Sequence, residues 1–128
     1  MPELEIIVID DERSFCDVVA EILRSFGHEV HTAYNVEEAI PILERTNPAL
    51  IILDVMMPGI DGLTFIRHLR TRPRYAELPI IISSAKFMES DRAVALDAGA
   101  TLYLSKPFSA GDLKQAIETV IQKDNIPQ

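Results

Sequence analysis

Five short apolar runs, at 4–9, 30–33, 49–53, 79–83 and 101–105, alternate with stretches in which the apolar residues take helical spacing. That alternation constrains the fold more than any other feature of the chain. Phe15, Val18, Val19, Ile22, Leu23 and Phe26 are spaced 3-1-3-1-3, the pattern of one helix face, and Gly27 stands where a helix C-terminus wants glycine. Asn35 is placed to cap a second helix with Val36, Ala39, Ile40 and Leu43 inward, and Pro41 should kink or shorten it. A third helix is expected from Asp61, with Leu63, Ile66 and Leu69 inward and Ile60 stapled to Phe65. The fourth spans 89–98 and ends at Gly99. The fifth opens on a Ser109/Asp112 capping box, with Phe108 stapled to Leu113, and turns Leu113, Ala116, Ile117, Val120 and Ile121 inward. Arg72-Pro-Arg-Tyr reads as a loop.

Strands alternating with helices imply a parallel sheet covered on both faces, and the unbroken apolarity of 49–53 suits a strand buried on both sides. Right-handed crossovers leave few topologies. The expectation is one α/β domain over 1–128, a three-layer α/β/α arrangement of five βα units with its core at 4–122 and a polar, fraying tail at 123–128.

Charge and composition narrow the function. Twenty acids against twelve Lys and Arg give a net charge of −8, the wrong sign for a domain that grips nucleic acid by itself. Every apolar run is far too short to span a bilayer, so no membrane association is expected. The start lacks the basic and apolar regions of a signal peptide, and Cys16 is the only cysteine, so the reading is a cytoplasmic protein without an intrachain disulfide.

Polar groups collect where the strands end. The first strand runs into Asp10-Asp11-Glu12, the third into Asp54, the fourth into Ser83-Ser84, and the fifth into Ser105-Lys106-Pro107. Only the second lacks such an end, which suits an edge position. Singly, each is an ordinary cap, turn or surface lysine. Together, on a sheet that binds ligands outside its carboxyl edge, they bring three aspartates, a hydroxyl and a lysine to one place. Crowded carboxylates need a cation. An all-oxygen donor set suits Mg²⁺, with Mn²⁺ able to substitute. A carboxylate can act as a nucleophile toward phosphorus, and a lysine and a hydroxyl can hold phosphoryl oxygens.

The stretches "VIDDE", "LDVMMPGIDG", "SSAK" and "YLSKPF", in that order and spacing, resemble the receiver domain of two-component response regulators over residues 4–122. The resemblance implies a (βα)5 doubly wound five-stranded sheet of flavodoxin-like order 2-1-3-4-5. It implies that Asp54 accepts a phosphoryl group from the phosphohistidine of a sensor histidine kinase or a histidine phosphotransfer protein, or from a small phosphodonor. Asp11 and Asp54 would ligate Mg²⁺ directly, the backbone carbonyl of Met56 would add a third oxygen, and Asp10 would act through water. Ser84, rather than Ser83, would bond a phosphoryl oxygen. Lys106, commonly before a cis bond to Pro107, would pair with the phosphoryl charge. Tyr103 would swing inward when Ser84 is drawn to the phosphoryl, switching the face formed by the fourth helix, fifth strand and fifth helix toward an output domain or effector. Met56 and Lys86 would flank the phosphoryl and tune its lifetime, and kinase specificity would lie near 14–24. Thr101 and Leu102 replace the acid pair of the OmpR-type dimer network, which argues against that dimer. By this reading the protein phosphorylates and dephosphorylates itself and is not a turnover enzyme.

Two other classes compete. A haloacid-dehalogenase-type phosphatase wants a second acid two residues after its nucleophile, where this chain has Met56. The other class is a flavodoxin-like ligand binder or a degenerate receiver used only as a scaffold, and the complete set of acids, hydroxyl and lysine argues against degeneracy. His28 and His31, three apart in a strand, should point to opposite faces as partly exposed residues rather than a metal pair. Cys16, beside an apolar stripe, should be inert.

Overall fold

The computed structural model describes residues 3–55, 62–86 and 88–125. Its elements follow the expected alternation: β1 (Glu5–Ile9), α1 (Arg13–Ser25), β2 (Glu29–Ala33), α2 (Val36–Arg45), β3 (Leu50–Leu53), α3 (Gly62–Arg70), a 3₁₀ turn (Pro73–Tyr75), β4 (Ile80–Ser84), α4 (Glu89–Ala98), β5 (Leu102–Ser105) and α5 (Ala110–Asn125). All four strand pairings are parallel and the spatial order is β2-β1-β3-β4-β5. This is the (βα)5 doubly wound sheet with helices on both faces.

The sheet divides two cores by the alternation of its side chains. Ile7, Ile9, Ile51, Leu53, Ile80 and Ile82 face α2, α3 and α4. Ile6, Val8, Leu50, Ile52 and Ile81 face α1 and α5. The aliphatic residues of β1, β3 and β4 are essentially inaccessible, and each contributes about 2 kcal/mol by leaving water. This explains why their runs lack polar breaks: both faces are covered, and any polar side chain would need a partner there.

Local signals decide the helix ends. The Asn35 side chain accepts from Glu38 N–H at 2.8 Å. Ser109 Oγ accepts from Asp112 N–H at 3.0 Å while Asp112 accepts from Ser109 N–H at 3.0 Å, closing the expected capping box. The staple of Phe108 onto the α1/α5 core agrees with its partial burial there.

Tertiary packing overrides the stripe in several places. Val18 is 53% exposed, because the inward face of α1 centres on Cys16, Val19, Ala20 and Leu23. The small Cys16 and Ala20 let α1 approach the sheet closely, with Cys16 Sγ 3.7 Å from the Val8 carbonyl. Burial pushes that thiol up to about 12, consistent with an inert cysteine. Ile40 is likewise exposed, at a groove between α2 and α3. Pro41 does not break α2, which continues four residues past it to Arg45. Its ring lies on the exposed side, where the carbonyl left without an N–H partner can face solvent. The segment expected as a loop forms the 3₁₀ turn, with Tyr75 buried. Helix α5 persists to Asn125, beyond the expected start of the tail.

His28 is also buried rather than partly exposed, and lies just before β2. Its Nδ1 accepts from Leu4 N–H at 3.1 Å, and burial holds its pKa below the ordinary value. His31 instead pairs with Glu5 at 3.0 Å across the β1–β2 edge. The expected start of α3 at Asp61 and the Ile60 staple lie outside the described residues.

Gly99 ends α4 with φ +120°, where an added Cβ would stand 2.8 Å from Arg70 Cγ. Arg70 cannot move away cheaply. Its guanidinium donates to the carbonyls of Gly99, Tyr75 and Leu78 at 2.7–3.0 Å. Gly99→Ala should therefore cost about 2 kcal/mol, from both backbone strain and displacement of Arg70. At Gly111, within α5, an added Cβ would meet only Ser109 Oγ, at an ordinary contact distance of 3.6 Å. Gly111→Ala should gain about 0.5 kcal/mol. Urea denaturation of the two variants checks the opposite signs.

Candidate functional site

The winding reverses between β1 and β3, and the two strands end side by side in the register Ile9↔Leu53. Backbone hydrogen bonds carry the ladder one residue past each strand end. Asp54 N–H donates to the Ile9 carbonyl at 3.0 Å, and Asp10 N–H donates to the Ala33 carbonyl at 3.1 Å. Each acid is thus held one step beyond its strand, at the crevice where such sheets bind ligands. On the other side β5 lies on β4 in the register Ser84↔Ser105, and Lys106 N–H donates to the Ser84 carbonyl at 2.7 Å. The chain then turns at a cis Lys106–Pro107 bond.

These placements aim the Lys106 side chain back across β4 toward the acids. Its Nζ lies 2.9 Å from Asp10 Oδ2, 3.4 Å from Asp54 Oδ2 and 3.6 Å from Glu12 Oε1. Asp10 and Asp54 are almost wholly buried, and the Lys106 side chain is only 11% exposed. Burial raises the Asp10 pKa, and the hydrogen bonds from Lys106 and Glu12 N–H offset part of that rise. For Lys106, burial pulls down while the acids, led by the Asp10 hydrogen bond, pull up, and the result is a raised pKa.

Ligand oxygens of Asp10, Glu12 and Asp54 gather within 4.8 Å of one another. Sequence motifs do not single out Glu12. The chain bends at Asp11, Glu12 N–H donates to Asp10 Oδ1 at 3.0 Å, and Glu12 stands at the N-cap of α1 beside the two buried acids. Asp11, between them, is half-buried and does not join this group. The oxygen-only donors fit a hard divalent cation such as Mg²⁺, which would compete with Lys106 for the same carboxylates.

Ser84 is fully buried, and its Oγ accepts from Lys86 N–H at 3.2 Å. Ser83 is also buried, its Oγ without a hydrogen-bond partner among the described residues. The half-buried Tyr103 donates its hydroxyl to the Lys86 carbonyl at 2.9 Å, so one loop residue touches both the hydroxyl and the aromatic. A cavity of about 90 Å³ lies beside them, bounded by Val55, Leu63, Lys86, Asp91, Val94, Ala95 and Tyr103. Lys86 itself is exposed. Met56, expected to offer its carbonyl, lies outside the described residues.

A doubly wound sheet with a lysine held in a carboxylate crevice at its switch point defines the class of CheY-like signalling domains. Residues 6–118 match the family model of the response regulator receiver domain, and the chain belongs to that family. It is similar in structure to the chemotaxis response regulator CheY4 of Vibrio cholerae (28% identity, TM-score 0.87, covering 93% of this chain and 99% of that one). It is also similar to a response regulator receiver domain from Clostridium thermocellum (30%, 0.85, 96% and 98%). A third similar structure is the receiver domain of a sensor histidine kinase from Pseudomonas aeruginosa PAO1 (29%, 0.84, 94% and 98%), which has a magnesium ion coordinated in its active-site cleft. Receiver domains of two-component systems work with histidine kinases and output domains. Among the described residues no helix is long and apolar enough to cross a membrane.

The raised Asp10 pKa has a consequence for stability. A carboxyl whose folded pKa lies above its unfolded value of 3.8 contributes stability below that value and loses it as pH rises through the folded pKa. Metal-free protein should therefore carry a penalty from Asp10 at neutral pH. Asp10→Asn should be more stable than the parent at pH 7, and the difference should vanish as pH falls below about 4. Urea titrations across that range in chelator measure it.

Proposed function

We propose that Asp54 is a phosphoacceptor, phosphorylated in a Mg²⁺-dependent reaction by the phosphohistidine of a sensor histidine kinase or phosphotransfer protein, and that the α4–β5–α5 face relays its state to an output domain or effector. The observation that carries this reading is the Lys106 ammonium buried between Asp10, Glu12 and Asp54. It is a cation already placed where phosphoryl charge would arrive.

In the reaction an Asp54 oxygen attacks phosphorus. The P–N bond of the donor breaks and its electron pair leaves with the imidazole; with acetyl phosphate, acetate leaves instead. Bound Mg²⁺ would supply charge neutralisation for the phosphoryl oxygens. Asp54 and Asp11 are proposed as its direct ligands, with the Met56 carbonyl as third and Asp10 acting through water; Glu12, now in the acid group, joins these candidates. Lys106 turns from the carboxylates to a phosphoryl oxygen, and burial strengthens that pairing. Ser84 Oγ donates to another oxygen, and drawing the hydroxyl toward the phosphoryl group lengthens the bond that it accepts from Lys86 N–H and disturbs the loop that holds Tyr103. Inward movement of Tyr103 is the proposed switch, and the adjoining cavity favours it. Self-catalysed transfer of this kind needs no turnover of external substrate.

Mass spectrometry after treatment with acetyl phosphate and Mg²⁺ tests the reading. One phosphate on the parent and none on Asp54→Ala is expected; multiple turnover on phosphate esters would instead indicate a phosphatase, and no phosphate a scaffold. Mg²⁺ at a hundredfold excess over Kd should stabilise the parent by about 2.7 kcal/mol. Asp11→Ala should lose most of that gain; an undiminished shift would remove Asp11 from the ligand set.

Lifetime is set by what can orient a hydrolytic water. Met56 offers no polar atom on its side chain, and Lys86 can donate but cannot accept a proton. Met56→Asn with Lys86→Glu should clearly accelerate loss of phosphate after donor removal with Mg²⁺ present. Decay at the parent rate would show that these side chains do not control it.

A further inference from the structure

We propose that Phe15 is a positioning residue for Lys106: the face of its ring holds the ammonium against the acid cluster. The proposal deepens the phosphoacceptor reading of the site and rests on it. Three carboxylates account for one side of the ammonium. On another side Lys106 Nζ stands 4.2 Å above the centroid of the Phe15 ring. A lysine whose side chain is only 11% exposed keeps little of its water, and a ring face is the apolar surface that returns electrostatic attraction to a cation.

The ring is itself held. Phe15 meets Phe108 edge to face, with centroids 5.6 Å apart and planes at 84°. Phe108 lies two residues beyond Lys106, so the aromatic pair links the first turn of α1 to the connection that delivers the lysine. Glu12 and Phe15 leave α1 one turn apart, and both reach the same ammonium. The start of α1 thus supplies an anionic contact and a π contact, while β1 and β3 supply the two buried acids.

A ring at this place could also act only as an apolar plug beside the lysine stem. The two roles separate by electron density at constant shape. Phe15 is replaced by 4-fluoro-, 3,5-difluoro- and 3,4,5-trifluorophenylalanine through nonsense suppression, with Phe15→Leu as the ringless variant. Three quantities are read: the NMR shift of the Lys106 ε-methylene in metal-free protein, the Mg²⁺ dissociation constant, and the rate of Asp54 phosphorylation by acetyl phosphate at saturating Mg²⁺. Stacking predicts an upfield ε-methylene signal throughout the fluorinated series that is lost in Phe15→Leu. Weakening the ring's hold on the ammonium should tighten Mg²⁺ binding step by step, because ion and lysine compete for Asp10 and Asp54. The phosphorylation rate should fall step by step, in total roughly two- to thirtyfold.

Equal Mg²⁺ affinity from phenylalanine to trifluorophenylalanine would overturn the proposal and leave the plug. An ε-methylene signal without ring-current displacement in the parent would overturn it as well. If no variant takes phosphate, the phosphoacceptor reading fails separately, and the metal-free shift and the Mg²⁺ series still decide whether Phe15 holds Lys106.

Discussion

A single ammonium sets the terms for this molecule. Two carboxylates, Asp10 and Asp54, are buried at the ends of adjacent strands, where ionised acids are costly without a counter-charge. Lys106 supplies it from just past the end of β5, two strands away from β3. The contact joins parts of the chain that are 96 and 52 residues apart. It also ties the β5–α5 connection to the centre of the sheet across the end of β4. A divalent cation or a phosphoryl group entering the crevice must renegotiate this one interaction, so the same charge that steadies the resting site gives it something to exchange.

The rest of the fold makes that arrangement stiff on one side and softer on the other. Strands β1, β3 and β4 are packed on both faces by aliphatic side chains, and their ends are fixed by ladder bonds running into Asp10 and Asp54. A close-packed support of this kind resists small displacements. Around β5 the packing thins. Leu102, Tyr103 and Leu104 are half-buried, and Met88, Val94 and Leu96 on or beside α4 are exposed. Ser84 stands at the boundary: its side chain is buried with the rigid strand, yet its oxygen is bonded to the loop whose carbonyl also holds Tyr103. A change at the acids has a short physical route to the less densely packed face.

Signals confined to a few neighbouring residues are legible in the chain. The Asn35 cap, the Ser109/Asp112 box and the glycine stop at Gly99 are local hydrogen-bonding and backbone requirements. The five strands are recognisable because burial on both faces demands unbroken apolar runs. The polar strand ends point to one edge by topology alone, and the family motifs place roles on Asp10, Asp11, Asp54, Ser84 and Lys106.

Rotation and neighbourhood required three dimensions. The apolar spacing of α1 includes Val18 in the inward stripe, but the helix turns Cys16 and Ala20 to the sheet because their small side chains permit close approach. His28 has the sequence context of a surface histidine, but it is buried and Leu4 N–H donates to its Nδ1. Arg70 is one arginine among several in sequence and the ligand of three carbonyls in space. Glu12 and Phe15 carry no separate motif, yet they complete the surroundings of Lys106. The sequence by itself determined which segments become strands and helices and which polar groups reach the carboxyl edge, because hydrophobic period and capping act over a few residues. Only the tertiary structure decided which of those groups touch, because contact depends on strand register and helix rotation, and these are set by packing between residues far apart in the chain.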